Sequence, residues 1–339
     1  MLHGVDGSIA AENRAPGADR PAPRSATDCP CCRNNEGNRP LYRLRYGEVR
    51  QCVRCRTAYT VFDAVDVRSA NEVFGSRDYV KSRIYELHNL RRTARARLGY
   101  LRAHVRTGDL LEFGASTGEF LYESHQAGFR VSCVDRYPVL LDVNMPQNAV
   151  EVFQQDADTF AIGKTFDVIA AFHVLEHLQQ PEVFLRKCRD LLTPEGILFL
   201  EVPNFGVLAR WIWRGRWGMF YDYHLCHFER RTLVSLLERC GYRVVETRTV
   251  DDPLRYLAPF YQPVRNVVWS VVKSMRRDSM VAPVESRSES EIRTSSKARV
   301  YRLESGVLRA LSFLLLPLSL PLGWLGFGSY LQVIARKTP

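Results

Sequence analysis

Apolar residues along this chain follow two repeating patterns, and the change from one to the other divides it. From Leu110 onward, short apolar runs alternate with stretches of helical spacing. That alternation predicts a parallel sheet with helices on its faces. The predicted strands are Leu110–Phe113, Phe129–Val134, Val150–Phe153, Phe166–Phe172, Ile197–Val202, Tyr242–Val250 and Tyr330–Ala335. A helix over Thr232–Cys240 is stopped by Gly241. Upstream, Asp78 to Val105 is polar and basic, with Ile84, Leu87, Leu90, Leu98, Leu101 and Val105 at helical spacing. It reads as helix leading into the main domain. Before it, Leu41–Leu44 and Glu48–Arg50 predict a small β-hairpin between two cysteine pairs.

Three stretches break these patterns. Residues 1–28 are rich in Ala, Pro, Gly and Arg and lack the apolar run of a secretory signal, which predicts a disordered tail. Residues 276–300 are Ser-rich and charged, as in a flexible loop. Residues 310–335 carry no charge and are long enough to span a bilayer, but Pro317, Pro321, Gly323, Gly326 and Gly328 interrupt them. A helix pair lining an apolar substrate pocket is expected, with peripheral membrane contact through 310–327 as the alternative. The expected organisation is a tail (1–28), a cysteine module (29–60), a helical linker (61–107), a main domain (108–254 with 328–339) and an inserted substrate cap (255–327).

Composition changes this picture in two ways. At 339 residues, with 46% hydrophobic and 25% charged, the chain is globular and has room for an accessory module. Its net charge of +10 is uneven, since residues 1–107 hold 20 Lys/Arg against 11 Asp/Glu. That basic third is a solvated arginine-rich face or a surface for an anion such as RNA. Nine cysteines without an export signal read as thiols or metal ligands, and the expected compartment is the cytoplasm. Cys29 and Cys32, then Cys52 and Cys55 after 19 intervening residues, have the spacing of two knuckles closing one structural Zn2+ site. Cys31 could substitute for a neighbour, whereas Cys133, Cys188, Cys226 and Cys240 are scattered thiols.

The first strand of the main domain runs into Glu112-Phe113-Gly114-Ala115-Ser116-Thr117-Gly118. A glycine turn between strand and helix lets backbone amides approach a ligand closely. Asp135 ends the second strand 21 residues after Gly114, where a carboxylate can accept from both hydroxyls of a ribose. Asp156 follows the third strand, where one could accept from an adenine amino group. A dinucleotide oxidoreductase would add a third glycine in Gly-x-Gly-x-x-Gly, which is absent.

These blocks, with Phe166-Asp167-Val168-Ile169, His173-Val174-Leu175-Glu176-His177, Thr193-Pro194-Glu195-Gly196, Glu201-Val202-Pro203-Asn204 and the later His227-Phe228, resemble the class I S-adenosylmethionine (SAM)-dependent methyltransferases. In particular they are similar to the bacterial group with a His-Val-Leu-Glu-His motif and an N-terminal four-cysteine zinc ribbon. The resemblance covers roughly residues 75–250. It implies a Rossmann-like, seven-stranded, doubly wound α/β sheet with a small zinc-ribbon module. It implies SAM on Glu112, Gly114, Ser116, Gly118, Asp135 and Asp156, with Ser116 standing where glycine is usual.

His173 would then sit nearest the transferred methyl group as a candidate general base. Glu176 and His177 are structural groups on this reading. The stretch also resembles the metal motif of the small-RNA 2′-O-methyltransferases, with His173 in place of a first glutamate, Glu176 and His177 matching, and His224 or His227 as the later ligand. The zinc-protease reading of the same letters is set aside, because that motif needs a long helix. The acceptor expected is a small molecule: a specialised metabolite, sugar or lipid-linked intermediate. An RNA methyltransferase and a non-catalytic SAM-binding scaffold are the alternatives.

Overall fold

The computed structural model describes residues 28–63, 90–138, 141, 145–146, 149–250, 321 and 323–338. The expected tail, the first half of the linker and most of the cap and of the 310–327 segment lie outside these residues.

All seven expected strands form, and they share one sheet. In chain order they are β4 (Asp109–Phe113), β5 (Arg130–Val134), β6 (Val150–Phe153), β7 (Phe166–Phe172), β8 (Leu192–Pro203), β10 (Tyr242–Val250) and β11 (Tyr330–Lys337). Across the sheet the order is β10-β11-β8-β7-β4-β5-β6. Strands β4 to β8 run parallel, and β11 inserts antiparallel between β8 and β10. Strand order reverses at β4, which pairs β5 on one side and β7 on the other. Ligands of open α/β sheets lie at such a reversal, beyond the carboxyl ends of the strands.

The central strands are apolar on both faces because both faces are covered, whereas the edge strands β6 and β10 are largely exposed. Successive side chains point to opposite faces, so one run feeds two cores. In β8, Leu198, Leu200 and Val202 pack with Phe113, Phe184 and Leu236. Ile197 and Phe199 point the other way, onto Leu98, Leu101 and Phe120. Helix α1 (residues 90–101) supplies Ala94, Leu98 and Leu101 to that second core. The segment expected as a linker is therefore, over these residues, part of the main domain. Helices α2 (Glu119–Gln126), α3 (Pro181–Leu191) and α5 (Arg230–Arg239) complete the layers, and α4 (Leu208–Trp213) follows β8.

The cysteine module is a three-stranded sheet, β1 (Arg39–Leu44), β2 (Gly47–Gln51) and β3 (Ala58–Phe62), in place of the expected hairpin. Strand β3 ends two residues past the expected boundary at 60. It pairs with β9 (Cys226–His227) of the main domain, so the module's sheet has four strands. That pairing was not legible, because β9 is two residues long. Leu44, Val49 and Ala58 pack with Phe205, Trp217 and Met219 in a third core that joins module and domain.

Candidate functional site

The turn after β4 is held in left-handed backbone at Gly114 (φ 69°), Ser116 (φ 52°) and Gly118 (φ 75°). Glycine adopts this conformation freely and serine does so at a cost. At Gly114 a Cβ would also meet Val174 Cγ2 at 3.0 Å, so the loop lies against the residue that follows His173. Gly118 precedes the first turn of α2. Asp135 fixes the loop from the next strand: its Oδ2 accepts from the Ser116 amide at 3.0 Å and its Oδ1 from the Tyr137 amide at 2.7 Å. Burial pushes the Asp135 carboxyl up, and those two amides partly offset the shift. Glu112, below the loop, is buried, and its Oε2 has no hydrogen-bond partner among the described residues. Burial raises its carboxyl well above the usual range, against the opposing charge of Arg97. Asp156 stands further out, where its Oδ2 accepts from Arg136 at 2.7 Å and its Oδ1 from the Asp158 amide at 2.9 Å.

The opposite lip follows β7. His173 has φ 56°, also left-handed, and its side chain is 35% exposed, open to the crevice. Its Nδ1 lies 3.3 Å from Glu176 Oε1 and its Nε2 3.0 Å from Glu201 Oε1. Burial works against a charged imidazole, but the two carboxylates outweigh it and raise the His173 pKa. Glu201 is the hub of this lip. It accepts from both Arg97 nitrogens that face it, Nε at 3.2 Å and Nη2, and from Gln332. Burial would raise its carboxyl; the Arg97 charge and the bonds from His173 and Arg97 instead hold it well below the usual range. The Arg97 guanidinium also lies 4.2 Å from the Phe172 ring centre.

Behind His173, Glu176, His177 and His224 bring one ligand atom each within 4.8 Å of one another. His177 Nδ1 lies 3.1 Å from the Tyr223 carbonyl. His227 is not part of this group: its Nε2 lies 2.8 Å from Thr60 Oγ1, tying β9 to the cysteine module. Burial lowers the His224 pKa well below its ordinary value and lowers that of His227 to about 3.

Cys29, Cys32, Cys52 and Cys55 form the second cluster, with all four sulfurs within 4.8 Å. Cys29 Sγ lies 3.5 Å from Cys55 Sγ, and Cys32 Sγ 3.5 Å from Cys52 Sγ. Such spacings suit the edges of a thiolate tetrahedron around one metal ion. Cys31 is outside the group, buried beside Cys226.

The structure thus brings Glu112, the glycine loop, Asp135 and His173 to adjacent strand ends, with Asp156 at the outer edge. Arg97, Glu201, Gln332 and Arg136 were not singled out from the sequence, although Glu201 opens one of the blocks that carry the resemblance.

Comparison with known proteins points to a methyltransferase domain. Residues 86–247 match the model of a methyltransferase domain family. The C-methyltransferase NovU of Streptomyces niveus is 30% identical over 158 residues, covering 42% of this chain and 35% of that protein. The ubiquinone biosynthesis O-methyltransferase of Xanthomonas campestris pv. campestris (strain B100) is 29% identical over 117 residues, covering 32% and 49%. The chain thus spans between about a third and a half of the length of these curated relatives. Among solved structures, a chain from the complex of the Haloferax volcanii Trm112 methyltransferase activator with a methyltransferase is similar in fold. Its TM-score is 0.50 at 12% identity, covering 81% of this chain and all of that one.

Proposed function

We propose that the chain is a class I SAM-dependent methyltransferase that methylates a small-molecule acceptor, of the specialised-metabolite, sugar or lipid-linked kind. The observation that carries this reading is the facing of the two lips: Gly114 against Val174, beside a histidine set between two carboxylates. The C- and O-methyltransferase relatives support the acceptor class.

The residues present fit the cofactor. Left-handed Gly114 and Gly118 let the backbone of the loop come close to a ligand. The unsatisfied Glu112 Oε2 suits an ammonium group, Asp135 the ribose hydroxyls and Asp156 the adenine amino group. Bound SAM supplies an electrophilic methyl group on a sulfonium that leaves as a neutral thioether. What remains for the protein is alignment and proton removal. His173 holds its resident proton on Nε2 toward Glu201 and takes the acceptor's proton on Nδ1, whose contact with Glu176 is the longer of the two, and both carboxylates stabilise the imidazolium that results. Cys29, Cys32, Cys52 and Cys55 hold a structural Zn2+ that stiffens the module.

The test is release of S-adenosylhomocysteine across a panel of small O, N and C nucleophiles. With an accepted substrate, His173→Ala lowers kcat by roughly 10²- to 10⁴-fold and leaves SAM affinity unchanged. Because the imidazole pKa is raised, the wild-type rate climbs with pH through a value above about 6.5. Glu176→Gln moves that limb to lower pH. A rate within threefold of wild type in His173→Ala would rule out the base. RNA binding that falls about 10³-fold from 50 to 200 mM salt would instead favour a nucleic-acid substrate. SAM binding without product on any acceptor would favour a scaffold.

A further inference from the structure

Away from the crevice, a groove of about 810 Å³ runs between the cysteine knuckles and helices α3 and α5. Six arginines line it: Arg33, Arg54 and Arg56 from the knuckles, Arg186 from α3, and Arg231 and Arg239 from α5. Its two carboxylates are already engaged. Glu182 pairs with Arg186 at 2.8 Å, and Glu229 closes the capping box of α5. Arg33 and Arg239 reach only neutral oxygens, Gln180 Oε1 at 2.5 Å and Ser235 Oγ at 3.1 Å. Among the described residues, Arg33, Arg54, Arg56, Arg231 and Arg239 have no carboxylate partner.

The knuckle arginines carry a second signal. Arg33 has φ 57° and Arg56 φ 63°, both left-handed. Each follows the second cysteine of its pair, where a tight turn returns its amide to the first cysteine's carbonyl: Arg33 to Cys29 at 2.9 Å, Arg56 to Cys52 at 3.0 Å. Glycine fills such a position without steric cost, whereas an arginine is strained there. Two separate turns bear the same cost, and both place a guanidinium in one groove.

We propose that this groove binds a small diphosphate-bearing ligand through Arg33 and Arg56, with Arg231 and Arg239 facing them. Guanidinium forks match phosphate oxygens in geometry as well as charge. Four more arginines than carboxylates balance a diphosphate closely. Among the described residues no aromatic side chain lines the groove, so these offer no platform on which the bases of a single strand could stack. Its bounded volume suits a compact anion better than the long backbone of a duplex. This site is independent of the SAM reading.

The test is calorimetry of the full chain with inorganic pyrophosphate. One site is expected, with orthophosphate at least about tenfold weaker because it offers fewer oxygens to the forks. The double variant Arg33→Gly/Arg56→Gly should bind pyrophosphate roughly 30-fold more weakly, while its Tm stays equal or rises as strain is relieved. Should that variant not fold, Arg231→Gln/Arg239→Gln on an exposed helix face should weaken binding about tenfold. Absence of binding at about 10 mM pyrophosphate, or variants that bind within threefold of wild type, would overturn the proposal. So would an RNA duplex that binds about 100-fold tighter than pyrophosphate, since the groove would then serve a nucleic acid.

Discussion

The two lips of the crevice are built by opposite means. The loop after β4 is mostly backbone, bent by Gly114, Ser116 and Gly118 and pinned through one amide by Asp135. The lip after β7 is mostly side chain, in which His173, Arg97 and Gln332 compensate the buried Glu201 carboxylate. A backbone lip tolerates change in side chains that point elsewhere but not in its φ angles. A charge-network lip tolerates neither, because removing one member leaves the buried carboxylate short of a partner.

The largest test of that contrast is Arg97→Ala. It leaves the buried Glu201 carboxylate without its main counter-charge. Breaking a buried pair from one side costs about 3–5 kcal/mol, and the lower end applies here because the Arg97 side chain keeps 15% exposure. Chemical denaturation should show that loss, and the Arg97→Ala/Glu201→Gln double variant should recover much of it. A loss below about 1 kcal/mol, as for a surface pair, would mean that the lip is not held by charge.

The contrast also decides what could be read from the chain. The glycine loop was legible because left-handed backbone restricts the residues that can stand there, and the restriction is local. Asp135 and Asp156 were legible because each ends a strand of its own. The central strands were legible too, since covering both faces of a sheet demands continuous apolar runs. The network was not legible in the same way. Arg97, Glu201 and Gln332 come from a helix, a central strand and the last inserted strand, 104 and 131 residues apart along the chain. No local pattern distinguishes an arginine destined for a buried carboxylate from the other arginines of a basic segment. The pairing of β3 with β9 was hidden for a related reason: two residues are too short a strand to show alternation.

A smaller effect is expected on the loop side. Asp135→Ala removes one acceptor from the Ser116 amide and, on the proposed reading, the acceptor for two ribose hydroxyls. Hydrogen bonds to a charged group contribute about 1.5–3 kcal/mol each, so even at the lower end the loss of two should reduce SAM affinity by at least about 100-fold. The fold should persist, because the sheet around it stays packed. Calorimetry with SAM measures this directly, and an unchanged Kd would remove Asp135 from the ribose site.

The smallest effect separates geometry from chemistry within the loop. Ser116 stands at φ 52° and donates its amide to Asp135. Ser116→Gly keeps that amide and relieves the left-handed strain, but it frees the unfolded chain. The two terms oppose each other and are each on the order of 1 kcal/mol, so the net change in stability should be within about 1 kcal/mol. If the lip acts only through its backbone, SAM affinity should stay within about threefold of wild type, a difference of less than 1 kcal/mol. If affinity instead falls tenfold or more, the serine hydroxyl itself binds the cofactor. The loop would then share the side-chain dependence of the opposite lip, and the division between them would have to be redrawn at Ser116.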